Sequence, residues 1–101
     1  MVDKYWKKIE RKFSKKLNAE RQWLSRGRNG CEDVVGDKFV MDVKSTKGKN
    51  SITIKRDDLE EIVKRGRELG KVGVLGFQFY MDRNQYVVLH IDDFKRLMGV
   101  R

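Results

Sequence analysis

Two carboxylates and an amine lie close together along one short part of the chain. Asp42 and Lys44 are two residues apart in "FVMDVKS" (39–45), and Asp33 precedes Asp42 by nine residues. Because successive side chains on a strand point to opposite faces, Asp42 and Lys44 would share one face. Carboxylates that bind Mg²⁺, beside an amine that orients water or offsets negative charge, are residues suited to hydrolysis of a phosphodiester. The alternative is a solvent-facing ion pair on an edge strand.

The position of Asp33 depends on a predicted hairpin. "DVV" (33–35) and "FVMDVKS" (39–45) flank Gly36 and Asp37, a pair of residues that favours a tight turn. Such a hairpin places Asp33 at its open end, the same end as Asp42 and Lys44. We therefore expect the two carboxylates to share one cation.

The N-terminal segment predicts an amphipathic helix with one anomalous residue. At about 100° per residue, Glu10 lies on the apolar stripe beside Trp6, although the segment has many solvent-facing positions for a carboxylate. Glu10 either lies at the edge of the stripe or meets a cation, and beside the hairpin it would hold a metal-bound water. Glu20 is its rival if the helix continues, but Asn18 favours an end there. The apolar stripe comprises Val2, Trp6, Ile9, Phe13 and Leu17.

The remaining periodicities predict an α/β fold in a single domain, residues 1–101. "SITI" (51–54) is predicted to be a short strand, and "DDLEEIVKRGREL" (57–69) a helix that buries Leu59, Ile62, Val63, Gly66 and Leu69. "KVGVLGFQFY" (71–80) and "QYVVLHI" (85–91) resemble interior strands, and "DDFKRLM" (92–98) a short helix. The predicted order is helix, three strands, helix, two strands, helix, with one sheet packed against helices.

The charge distribution indicates a polyanionic partner. The 101 residues carry a net charge of +9, and residues 1–50 hold 14 Lys and Arg against 7 Asp and Glu, a balance of +7. Such asymmetry favours nucleic acid, although a basic protein without such a ligand is the alternative. Cations in the two basic loops are the candidates for contact with DNA phosphates, unless they are ordinary loop cations. They are Arg21, Arg26, Arg28, Lys47 and Lys49.

Four short motifs resemble those of the PD-(D/E)xK nuclease superfamily, in particular its archaeal-type and phage Holliday junction resolvase-like branch. They are "IER" (9–11), "SRG" (25–27), "EDV" (32–34) and "FVMDVKS" (39–45). The resemblance implies a restriction-endonuclease-like core, with one mixed β-sheet flanked by helices in the order αβββαββα. It also implies that Asp33, Asp42, Lys44 and Glu10 are the catalytic residues, and that the Val43 carbonyl binds the metal. Arg26 resembles an arginine that relatives place near the scissile phosphate.

The expected function is therefore a Mg²⁺-dependent endonuclease, with Mn²⁺ as a substitute, that cleaves branched DNA such as a four-way junction. Relatives in this branch act as homodimers, and two coordinated nicks need two equivalent sites. An exposed surface at 72–80 or at Met98 would pair the subunits. The alternatives are a nicking or restriction-type nuclease acting on duplex or flap DNA, and a non-catalytic DNA-binding protein.

The chain shows neither an apolar run long enough to cross a membrane nor the apolar core of a signal peptide. Its single cysteine, Cys31, permits no internal disulfide. We therefore expect a cytoplasmic protein of a prokaryotic, archaeal or virus-infected cell.

Overall fold

The computed structural model describes residues 5–18, 20–21, 33–45 and 50–100. The helices and strands in these segments follow one another in the predicted order of types, αβββαββα. The elements are α1 (Tyr5–Lys16), β1 (Glu20–Arg21), β2 (Val34–Val35), β3 (Phe39–Ser45), α2 (Arg56–Glu68), β4 (Val72–Gln78), β5 (Gln85–Leu89) and α3 (Ile91–Met98).

All five strands join one mixed sheet in the order β1-β2-β3-β4-β5. The pairs β1–β2, β2–β3 and β4–β5 are antiparallel, whereas β3 and β4 run parallel and are connected through α2. A parallel connection must return the chain over the sheet, which is why a helix rather than a tight turn links these two strands. The predicted α/β class with a mixed sheet and flanking helices is confirmed.

The two faces of the sheet bury separate hydrophobic cores. On one face, Ile9 and Phe13 of α1 pack with Val34, Met41, Val43 and Val74. On the other face, Ile62 of α2 packs with Val40 and Leu75. Residues 39, 41 and 43 therefore point towards α1, while 40, 42 and 44 point towards α2, because side chains alternate along β3.

Two of the strand predictions were wrong. Residues 51–54 form no strand, since both edges of β3 are already paired, with β2 on one side and β4 on the other. The third strand of the first group is instead β1, which pairs with β2. The segment at 85–91 was expected in the interior, but β5 is an edge strand on which Tyr86 is 45% and Val87 49% exposed.

The helix predictions hold for the residues nearest the sheet. Ile9 and Phe13 are buried, and α1 ends before Asn18, whose φ of 53° is left-handed. In α2, Ile62 and Gly66 are buried as expected. Leu17 and Leu69 are each 41% exposed, contrary to prediction, because both follow the last turn of their helices and lie beyond the sheet-facing stripe.

The short helix α3 is capped at both ends. His90 precedes it and accepts a hydrogen bond from the Asp92 amide on Nδ1 at 3.0 Å, and Gly99 ends it at a φ of 70°. Asp93 is 3% exposed and forms ion pairs with Arg96 and with Arg67 of α2. These ion pairs attach α3 to α2. In the described ranges no helix combines the length and apolarity needed to cross a membrane.

Candidate active site

Asp33 and Asp42 face each other at the open end of the β2–β3 hairpin. Val34 pairs with Met41, and the Asp33 amide also donates to the Met41 carbonyl at 2.7 Å, which holds Asp33 at the end of the hairpin next to Asp42. The Asp33 side chain accepts a hydrogen bond on Oδ2 from the Val43 amide at 2.9 Å. The hairpin therefore brings the two carboxyl groups together, as predicted.

The two carboxyl groups are too close and too buried for both to ionise readily. Burial raises the pKa of Asp42 to about 7, partly opposed by Lys44 and reinforced by the charge of Asp33. Burial also raises the pKa of Asp33, although the bond from the Val43 amide opposes that rise. The carboxyl groups hydrogen-bond each other in the sense that favours a proton on Asp42. Near neutral pH the pair thus shares one proton.

Lys44 lies between two carboxylates. Its Nζ is 3.4 Å from Oδ2 of Asp42 and 3.3 Å from Oδ2 of Asp58. Burial lowers the pKa of Lys44, but Asp42 and Asp58 together outweigh this effect and the net pKa is raised. The amine is therefore a fixed positive charge whose side chain remains 36% exposed, and an anion arriving from solvent would meet it.

Asp58 is the residue that sequence reasoning missed. It lies in the first turn of α2, where an acidic residue is expected merely to complement the helix dipole. Because α2 crosses from the end of β3 to the start of β4, its first turn lies over the carboxyl end of β3, beside Lys44. Only this crossover reveals the contact, and an acid in a first turn is too common to be a signal by itself.

Glu10 is buried rather than placed at the edge of the apolar stripe. The residue is 5% exposed, which rules out the edge interpretation, and its charge raises the pKa of Asp33. The Glu10 carboxylate therefore lies near enough to Asp33 for their charges to interact. The side-chain positions of Glu20, its rival, and of Arg21 are not described, although both residues form β1.

The predicted phosphate contacts fall mostly on residues outside the described ranges. These are Arg26, Arg28, Lys47 and Lys49. Val43, the predicted carbonyl ligand, is buried in β3 between Asp42 and Lys44. The assignment of these five residues stays a prediction.

The arrangement suits a divalent cation bound through two carboxylates. Within the described part of the chain, no group of three or more His, Cys, Asp or Glu side chains is placed to hold a metal ion, so the expected three-acid cluster is not found there. Mg²⁺, however, commonly uses only one or two protein carboxylates and keeps several waters. Asp33 and Asp42, which share a proton that a cation could displace, fit this requirement.

No protein-family model, curated protein or solved structure matches the chain. The resemblance to the PD-(D/E)xK nucleases therefore stays a prediction carried by the residues themselves.

Proposed function

We propose that this chain is a metal-dependent endonuclease that hydrolyses phosphodiester bonds in branched DNA, with four-way junctions as its preferred substrate. The observation that carries the proposal is the convergence of the half-buried Asp33 and the buried Asp42 at one end of the hairpin, with Lys44 Nζ 3.4 Å from Asp42. A shared proton marks a site that is electrostatically unsatisfied without a cation, and a neighbouring amine offers a second positive charge to a phosphate.

Asp33 and Asp42 would hold Mg²⁺, or Mn²⁺ in its place, with the Val43 carbonyl and Glu10 as further ligands, Glu10 through water. A bound divalent ion would offset charge on the phosphate and lower the pKa of water. Lys44 faces solvent on one side and carboxylates on the other, so it can hold the phosphate or orient the attacking water. The Val43 amide fixes the Asp33 carboxylate by donating to Oδ2.

The net charge of +9 supports DNA as the substrate, with the loop cations Arg21, Arg26, Arg28, Lys47 and Lys49 as phosphate contacts. We further propose a homodimer in the cytoplasm, since resolution of a junction needs two sites at a fixed spacing. The surface expected at 72–80 does not suit pairing, because Val72–Gln78 is a central strand. Met98 is 59% exposed and remains a candidate contact.

Cleavage of a synthetic four-way junction tests the proposal. Strands labelled at their ends would be incubated with Mg²⁺ and wild-type protein, Asp42→Asn or Lys44→Ala, with Asp37→Asn as a matched control in the exposed hairpin turn. We expect symmetric nicks from wild type and Asp37→Asn, and at least about 100-fold slower cleavage by the other two variants. A wild-type protein that cuts neither junction, flap nor duplex would refute the proposal. Preference for flap or duplex would instead identify the nicking or restriction-type activity.

A non-catalytic DNA-binding protein is the second candidate, favoured by the net charge and by the lack of a three-ligand metal group among the described residues. Calorimetric titration with Mn²⁺ separates the two. A nuclease should bind the ion with an affinity that Asp33→Asn and Asp42→Asn abolish, whereas a simple binder should show no such dependence.

A further inference from the structure

Lys44 begins a row of side chains that crosses three strands on one face of the sheet. Lys44 of β3 is in register with Phe77 of β4, and Phe77 is in register with Tyr86 of β5. Residues in register point to the same face, so the row continues the α2 side of the sheet at the carboxyl end of β3 and β4. At about 4.8 Å per strand, the Tyr86 backbone lies about 10 Å from that of Lys44.

Three aromatic rings cluster at the far end of this row. Phe77 and Tyr86 are stacked, with ring centroids 5.5 Å apart and an angle of 24° between their planes. Phe79 contacts both rings edge-on, at 5.4 Å from Phe77 and 6.1 Å from Tyr86. The geometry is that of a preformed aromatic platform, in which each ring fixes the orientation of the next.

The platform is not part of either hydrophobic core. None of the three rings belongs to the clusters around Ile9 or Ile62, and Tyr86 is 45% exposed. A ring that served only to fill the space under α2 would be covered by that helix. The exposed Tyr86 ring instead leaves aromatic surface open to solvent in the same row as the Lys44 ammonium group.

An aromatic surface two strands away from Lys44, on a chain of net charge +9, is complementary to a nucleotide with an unpaired base. Proteins that bind single-stranded nucleic acid combine positive charge along the backbone with rings on which bases stack. A base inside a duplex is already stacked on its neighbours and offers no face to Tyr86. The occupant should therefore be a nucleotide that is not held in a helix.

We propose that Tyr86, supported by Phe77 and Phe79, stacks an unpaired DNA base two strands away from the phosphate that Lys44 faces. The platform then selects DNA with bases freed from stacking, as at a junction point, a flap or a single strand. The proposal rests on the proposed function for the role of Lys44, but base stacking can be measured without cleavage.

The test compares Tyr86→Ala with Tyr86→Phe, which keeps the ring, and with Val87→Ala. Val87 is the next residue of β5, is similarly exposed at 49% and points to the opposite face, so it is a matched control. Binding of a single-stranded oligonucleotide and of a blunt duplex would be measured by fluorescence anisotropy in EDTA at constant salt. An oligonucleotide containing 2-aminopurine would report stacking through quenching of its fluorescence.

We expect Tyr86→Ala to bind single-stranded DNA about 10-fold more weakly and to lose quenching, with duplex affinity unchanged within about twofold. Tyr86→Phe and Val87→Ala should match wild type. If Tyr86→Ala lost equal affinity for both DNAs, or lost none, the proposal would be overturned. A change in the oligomeric state of Tyr86→Ala, measured by light scattering, would also overturn it, because it would mark Tyr86 as part of a protein contact. The binding assay in EDTA does not depend on cleavage. A wild type that shows quenching in this assay but cuts no DNA in the presence of Mg²⁺ would therefore refute the nuclease function alone.

Discussion

At the scale of single residues, Lys44 is held by one carboxylate from its own strand and one from α2. Asp42 belongs to the proposed metal pair. Asp58 lies in another element, and Lys44 is its partner in the ion pair that the described residues show. Asp58 thus keeps the amine in place when Asp42 is engaged elsewhere. In the proposed reaction it would act as a positioning residue.

Asp57 provides a matched control for Asp58, because both lie in the first turn of α2 and Asp57 is exposed. We expect Asp58→Asn to lower kcat for junction cleavage about 10-fold, with KM within about twofold of wild type. Asp58→Glu should restore part of the rate, and Asp57→Asn should leave it unchanged. Equal kinetics for Asp57→Asn and Asp58→Asn would show that the contact has no catalytic consequence.

The raised pKa of Asp42 predicts how stability depends on pH. Its pKa of about 7 in the folded state lies above the unfolded value of 3.8, so the folded state binds the proton more tightly. Stability should therefore fall as the pH rises from about 4 to about 7, and level off above that. Without divalent cations, Asp42→Asn should lose most of this dependence, because only Asp33 then remains with a raised pKa. Its free energy of unfolding at pH 8 should be about 2 kcal/mol higher than that of wild type.

Urea denaturation in EDTA between pH 4 and pH 8 measures this difference, with Asp37→Asn as the control that should follow wild type. In a parallel series without EDTA, Mg²⁺ should stabilise wild type at pH 8 but not Asp42→Asn. Parallel curves for wild type and Asp42→Asn would disprove the shared proton.

At the scale of elements, the close contact of α2 with β4 determines where the first turn of α2 lies. A Cβ added at Gly73 of β4 would stand 1.9 Å from the Ile62 carbonyl oxygen of α2. Glycine is required here because the backbones of the two elements approach each other directly. The contact sets the position of the helix over the sheet, and with it the position of Asp58.

Gly73→Ala should push α2 away from the sheet and lower the free energy of unfolding by about 3 kcal/mol. Gly70 is the comparison, because its φ is +67° and a Cβ there would meet nothing within 4 Å. Gly70→Ala should cost only about 1 kcal/mol through backbone strain. Chemical denaturation measures both values, and similar losses would show that the helix has room to shift.

At the scale of the whole molecule, α3 exposes much of its apolar surface. Asp93 attaches α3 to α2 through its ion pair with Arg67. The large apolar side chains of α3 face solvent. The exposed fractions are 69% for Ile91, 46% for Phe94, 61% for Leu97 and 59% for Met98. Apolar surface of this kind on a small domain is typical of a protein contact, and among the described residues it is the surface that we expect in the proposed homodimer.

Light scattering at micromolar concentration should therefore give about twice the chain mass of 12.0 kDa for wild type. Leu97→Glu should shift the mass to that of a monomer, since a carboxylate would have to be buried in the contact. Lys8→Glu, an exposed position on α1, should stay dimeric. A wild type that is monomeric at this concentration would refute the homodimer.

The sequence by itself determined the elements whose signals are local. The apolar period predicted that α1 ends before Asn18, and the turn signal after Gly36 predicted the hairpin at whose open end Asp33 and Asp42 lie. A hairpin needs only neighbouring residues, so alternation along β3 was enough to place Asp42 and Lys44 on one face, and the turn was enough to bring Asp33 to the same end of the hairpin.

The tertiary structure decided which distant residues join that face. The parallel pairing of β3 with β4 spans the whole of α2, and no local pattern specifies it. That pairing placed Asp58 beside Lys44, aligned Phe77 and Tyr86 with Lys44, and left residues 51–54 without a free edge of β3. Burial of Glu10 likewise depended on how α1 lies against the sheet. Contacts between remote segments arise from packing, which a one-dimensional pattern does not encode.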